Sequence, residues 1–162
     1  ASFQALEMPY IGDRVAMLVL LPHERNGISA LEQKLDPALL KECIANLRKS
    51  KVEVSFPRFT ARQNANLTEI LTTLGMGIAF TGDADFSGIT GDRELKISAV
   101  IHEAVAEVNE EGTEAAAATA VVMAKTAVRP PPAFRADHPF VYIIRDRQTG
   151  TILFMGRFAR PS

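Results

Sequence analysis

A chain of 162 residues with 47% apolar side chains has enough apolar surface for one core of ordinary domain size. Its formal net charge of −1 argues against broad attraction to nucleic acid or to an anionic membrane, and no apolar run is long enough to span a bilayer. Cys43 is the only cysteine, so no internal disulfide can form; it reads as a small apolar side chain in a helical run.

Residues 3–10 and 15–21 read as two strands joined by a Gly12-Asp13 turn. The second is apolar throughout, as suits a strand buried on both faces. After a loop at residues 22–27, residues 28–35 form a short helix, with Ser29 as its cap and Glu32 at capping-box spacing. Asp36-Pro37 opens a second helix reaching about Leu47. Asp36 caps it, and Pro37 takes the first helical position, where an N–H has no partner to lose. Residues 51–59 alternate as one strand, with Val52, Val54 and Phe56 on one face.

Residues 66–74 form a helix opened by Asn66 and Glu69 and stopped by Gly75. Asn66-Leu67-Thr68 has two readings, a helix cap or an N-glycosylation acceptor. Residues 82–93 are turn-rich. Residues 95–109 form a long apolar strand, with Ile97, Ala99, Ile101, Glu103 and Val105 on one face. A distinctive joint follows: Glu110, Glu111, Gly112, Thr113, Glu114, Ala115, Ala116, Ala117, Ala118 and Thr119. Alanine propensity, with Glu114 in the first turn, favours a helix there. As a strand, the segment puts Thr113, Ala115, Ala117, Thr119 and Val121 on one face. Side chains this small can enter a narrow slot between two strands without overpacking it. Pro130-Pro131-Pro132 is a stiff extended spacer. Residues 140–144 and 151–158 make a hairpin around residues 147–150, and both strands are apolar enough to be central.

Enzyme patterns are lacking. There is no Gly-x-Ser-x-Gly elbow, phosphate loop or His-Glu-x-x-His helix. His23, His102 and His138 lack metal-ligand spacing, and the carboxylates form no evident acid–base pair. The expectation is a protein that is not an enzyme and carries no metal or cofactor.

Several stretches recur in a family order. They are Val52-Glu53-Val54-Ser55-Phe56-Pro57-Arg58-Phe59, Leu74-Gly75-Met76, Ala84-Asp85-Phe86-Ser87-Gly88-Ile89-Thr90 and Val100-Ile101-His102-Glu103-Ala104. Phe134-Arg135-Ala136-Asp137-His138-Pro139-Phe140 and Phe154-Met155-Gly156-Arg157 follow the small-residue joint. From Phe3 to Pro161 the chain resembles the serpins, protease inhibitors that insert a cleaved loop into their own β-sheet.

The resemblance implies an α+β fold of mixed, mostly antiparallel sheets with short helices and a reactive-centre loop at about residues 112–132. Family members are considerably longer. Residues 1–162 are therefore expected to be the C-terminal portion of one serpin domain, with the N-terminal portion as a partner. Alone, its strands would leave open edges. The implied function is suicide inhibition of a serine protease. The loop is cut near Thr126–Ala127, the protease is trapped as an acyl-enzyme, and the residues from Glu110 to Thr119 act as the hinge of insertion. Small neighbours at that bond suit an elastase- or subtilisin-like target; Lys125 or Arg129 as the cut residue would point to a trypsin-like one. His102 corresponds to a buried histidine that either gates sheet opening or serves as a core residue. Arg58 corresponds to a basic partner of Glu110, the alternative being two unrelated surface charges. The resemblance favours an extracellular setting and implies no nucleic-acid or membrane partner. A non-inhibitory serpin (carrier, chaperone or storage protein) is the second reading, and a module lending its loop strand to another sheet edge is the third.

Overall fold

The apolar run at residues 15–21 becomes a strand seven-eighths of which is sealed from water. It lies between two others in a four-stranded antiparallel sheet. The computed structural model describes residues 2–109 and 131–159. Its strands in chain order are β1 (Phe3–Pro9), β2 (Val15–Pro22), β3 (Glu53–Ser55), β4 (Phe59–Asn66), β5 (Ile101–Val108), β6 (Ala133–Arg135), β7 (Phe140–Asp146) and β8 (Ile152–Phe158). The helices are α1 (Ile28–Lys34), α2 (Pro37–Asn46), α3 (Thr68–Leu71) and α4 (Ser87–Thr90). They divide into two units, Ala1–Phe59 with Glu107–Ser162, and Thr60–Ala106. The fold class is α+β, as expected.

In the first unit the sheet order is β1-β2-β7-β8. β1 and β2 pair from Phe3↔Pro22 to Pro9↔Ala16. Their turn needs two consecutive positive φ angles, +87° at Gly12 and +57° at Asp13. Glycine carries no penalty there, and aspartate tolerates the left-handed region better than most residues. The period-two alternation then sorts the core. Val141 and Ile143 join Leu18, Leu20 and Leu31 on the face covered by α1 and α2. Phe140 and Tyr142 point the other way, into an aromatic cluster with Phe56, Phe59 and Phe158. Phe59 stacks on Phe158 with ring centroids 4.4 Å apart.

Asp36 caps α2 as expected: its Oδ1 accepts the Leu39 N–H at 2.7 Å. Ser29 does not cap α1. Gly27 holds that position without a side-chain bond, and Glu32 instead meets Arg157 at 3.3 Å. The expected strand over residues 51–59 breaks in two at Phe56-Pro57-Arg58, because proline cannot donate to a ladder and constrains the residue before it. β3 pairs in parallel with β6, and β4 pairs with β5. β7 is central, whereas β8 is, among the described residues, an edge strand. Ile152, Leu153, Phe154 and Met155 are exposed, since apolar content alone does not say how many neighbours a strand has.

In the second unit α3 passes into a wider turn at Thr72–Met76, where Gly75 turns the chain with φ +102°. β5 starts at Ile101, later than expected. The preceding residues bond to short helical turns instead, with Ile97 N–H on the carbonyl of Ala79, inside the 3-10 turn Gly77–Phe80, at 3.0 Å.

Candidate functional site

The hinge from Glu110 to Thr119, the Thr126–Ala127 bond, Lys125 and Arg129 lie outside the described residues. What the structure describes is the frame from which that segment leaves and to which it returns. The departing strand is β5. Ala104, Ala106 and Val108 are half-buried, while Ile101, Glu103, Val105 and Glu107 are exposed, so the strand has one covered face. Among the described residues its one sheet neighbour is β4. Glu103 pairs with Arg62 of β4 at 3.1 Å; both side chains are largely exposed, and such pairs contribute about 0–1 kcal/mol.

The returning strand is β6. Its docking begins one residue early, because the Pro132 carbonyl accepts the Glu53 N–H at 2.9 Å. Proline lacks a donor but keeps an acceptor, so the spacer can enter a ladder at its last residue. The pairs Glu53↔Ala133, Val54↔Phe134 and Ser55↔Arg135 follow, and Ala136 N–H closes on the Ser55 carbonyl at 2.9 Å. Phe134 and Ala136 are buried.

Immediately after β6, His138 bridges two acceptors. Nδ1 lies 2.7 Å from Asp137 Oδ1, and Nε2 lies 2.7 Å from the Pro22 carbonyl at the end of β2. Arg25 Nη2 donates to Asp137 Oδ2 at 2.8 Å. The His138 bond, and secondarily the Arg25 charge, hold the Asp137 carboxyl below the usual carboxylate range. Sequence reasoning picked out residues 134–140 as a family motif but not this network. No spacing signal links His138 to a carbonyl 116 positions away.

The remaining predicted site residues separate. His102 sits on β5 with an exposed side chain and makes no side-chain hydrogen bond to a described residue. The expected burial is not found among the described residues, where β5 has a single strand beside it. Arg58 is exposed in the break between β3 and β4, and Glu110, its expected partner, lies outside the described residues.

The described side chains offer little catalytic chemistry. No cluster of three potential metal ligands occurs among them. Cys43 is half-buried, and burial, with Glu42 adding, pushes its thiol up and away from the reactive thiolate. Glu7 is tied to Arg145 at 2.6 Å and Arg147 at 3.2 Å. No described helix is long and apolar enough to cross a membrane.

The serpin family model, described as serine protease inhibitor, matches residues 1–161. The chain belongs to the serpin family. It is 45% identical to Serpin B3 of Homo sapiens over 161 residues, covering 98% of this chain and 41% of that protein. It is 40% identical to neuroserpin of Rattus norvegicus, covering 98% of this chain and 39% of that protein. An uncharacterized serpin-like protein of Thermococcus kodakarensis is 44% identical, with 99% and 38% covered. Among solved structures, uncleaved ovalbumin aligns with TM-score 0.79 and 35% identity over 96% of this chain and 39% of that one. Thyroxine-binding globulin in complex with thyroxine aligns with TM-score 0.81 and 31% identity over 99% and 42%. The chain thus spans about two-fifths of the length of the curated relatives it matches.

Proposed function

We propose that the protein of which this chain forms the C-terminal portion inhibits serine proteases as a suicide substrate. The observation that carries this reading is the run from Glu110 to Thr119, with Gly112 and four consecutive alanines. Family membership supports it, and so does the position of that run directly after β5, a strand with one described neighbour. In this reading the protease nucleophile attacks the carbonyl at Thr126–Ala127 and forms an acyl-enzyme. The freed segment then enters the main sheet as a new strand before deacylation. The tethered protease is dragged and distorted, and loss of even one oxyanion donor costs about two to three decades in rate.

Each inserted residue gains about 1 kcal/mol net per backbone hydrogen bond and loses about 1–2 kcal/mol in backbone ordering. These terms nearly cancel, so the drive comes from burying Thr113, Thr119, Val121 and Met123 and from strain relieved elsewhere in the sheet. Glu110 pairs with Arg58 at the hinge base, and His102 is covered in the assembled sheet, where it controls strand separation. The target is an elastase- or subtilisin-like protease. The test is incubation of the full-length protein with an elastase-like and a trypsin-like protease. A covalent complex that survives detergent, and a released peptide beginning at Ala127, are the expected results.

A second reading is a non-inhibitory serpin that carries a small molecule. Its support is the likeness to thyroxine-binding globulin, which was solved with thyroxine bound. Clean cleavage of the full-length protein with no trapped protease would favour it. The small residues of the hinge argue against it, because they suit insertion.

A further inference from the structure

We propose that Asn66 is an acceptor for an N-linked glycan. Asn66-Leu67-Thr68 has the required Asn, non-proline and Thr, and no other asparagine of the chain begins that pattern. A three-residue pattern is weak alone, but the structure adds independent support. Asn66 is exposed at the last residue of β4, and α3 begins at Thr68, so the side chain stands at a strand-to-helix turn. Its Oδ1 accepts the Thr68 N–H at 3.0 Å. Its Nδ2, the atom that would carry the sugar, donates to no described residue. The turn is pinned from its inner side. Leu67 N–H bonds to the Val100 carbonyl at 2.8 Å, and Thr68 Oγ1 accepts the Val100 N–H at 3.0 Å.

This geometry removes the conflict between the two readings of the motif. Glycosylation converts the side-chain amide from primary to secondary and leaves its oxygen untouched. Oδ1 therefore goes on accepting from Thr68 after the sugar is attached. The transfer forms a bond from Nδ2 to C1 of the first sugar and breaks the C1–O bond to a lipid-pyrophosphate oligosaccharide donor. The pyrophosphate leaves with the electron pair, and the amide proton passes to a base of the transferase. The attachment point lies beside Val100, just before β5 begins, at the end of that strand farther along the chain from Glu110. The sugar thus adds bulk at the turn between β4 and α3.

The test uses full-length protein secreted from a eukaryotic host that supplies transferase and donor, followed by peptide mass mapping. The Asn66 peptide is expected to carry a glycan whose enzymatic removal leaves aspartate at that position. Asn66→Asp keeps the oxygen that holds the turn and deletes the acceptor nitrogen, so the modified fraction falls to background while the melting temperature holds. Thr68→Ser retains the glycan and Thr68→Ala loses it. An unmodified Asn66 peptide from secreted wild-type protein, with host glycoproteins in the same medium fully modified, overturns the proposal. So does a glycan that persists in Asn66→Asp. The wild-type peptide map decides the matter even if a variant fails to be secreted.

Discussion

Tyr142 on β7 faces Gly156 on β8, and its ring occupies the space that a side chain at position 156 would need. A Cβ built there would lie 2.6 Å from Tyr142 Cζ, and the ring cannot retreat because Phe59 packs 5.4 Å from it. The glycine therefore gives up strand propensity so that a cross-strand aromatic can pack close against the backbone. Gly156→Ala in the full-length protein is expected to cost about 1–3 kcal/mol by overpacking. Urea unfolding measures it. In Gly156→Ala combined with Tyr142→Ala the losses should sum to less than the two singles, since the second change removes the clash. Strict additivity would show that the ring and the glycine do not interact as described.

Asp146 ends β7 and organises the hairpin that follows. Its Oδ1 accepts the Gln148 and Thr149 N–H groups at 2.8 and 3.0 Å, and its Oδ2 accepts Arg14 Nε at 2.9 Å. The Thr149 N–H, with Arg14 next, holds the carboxyl at about 2. An unfolded chain leaves an aspartate near its ordinary value of about 3.9. The folded pKa is the lower one, so the stabilisation is fully present above about pH 5 and is lost progressively as pH falls through about 2. Asp146→Asn keeps an oxygen for the turn and loses the charge. The stability gap between wild type and Asp146→Asn should be constant above about pH 5, narrow as pH falls through the unfolded value, and close only below about pH 2. A gap unchanged down to pH 2 would show that the charge contributes nothing.

The two short helices of the first unit offer a paired comparison. The Asp36 carboxylate accepts the Leu39 N–H, whereas Gly27 offers α1 no side-chain acceptor and Ser29 lies inside the first turn. Asp36→Ala is expected to cost about 1 kcal/mol, and Ser29→Ala well under half of that. Chemical denaturation of both variants checks the ordering. Equal losses would restore Ser29 as a cap.

Much of this architecture is legible in local chemistry. The turn at Gly12-Asp13, the Asp36-Pro37 helix start and the doubly buried β2 all follow from residues next to one another in sequence. Other features depend on distant neighbours. Nothing within residues 152–158 reveals that β8 has one strand beside it among the described residues, and nothing near Ser29 says that Glu32 is drawn toward Arg157. Pro57 breaks the strand predicted from the alternation of Val52, Val54 and Phe56, because proline cannot join a ladder however its neighbours alternate. The candidate site divides in the same way. The small side chains of the hinge are a sequence property, but the bridge from His138 to the Pro22 carbonyl needs the fold.

The proposed hinge gives the sharpest functional prediction. Thr113, Ala115, Ala117 and Thr119 share one face if the segment inserts as a strand, and they are the first residues of that face to enter. An arginine at 113 would carry a charge and a long side chain into a slot shaped for a hydroxyl and methyl group. Burial of an unpaired charge is among the largest destabilising changes a protein can suffer. Insertion would slow at its opening step, while attack on the proposed scissile bond would proceed as before, so deacylation would win the race. Thr113→Arg in the full-length protein should then release active protease, with the covalent fraction falling at least tenfold and cleaved inhibitor accumulating. That factor corresponds to about 1.4 kcal/mol in the partition between the two fates. Thr113→Ser should leave the partition near wild type, since it keeps the hydroxyl and adds no volume. A covalent fraction that is the same for Thr113→Arg and wild type would rule out entry of this face into the sheet.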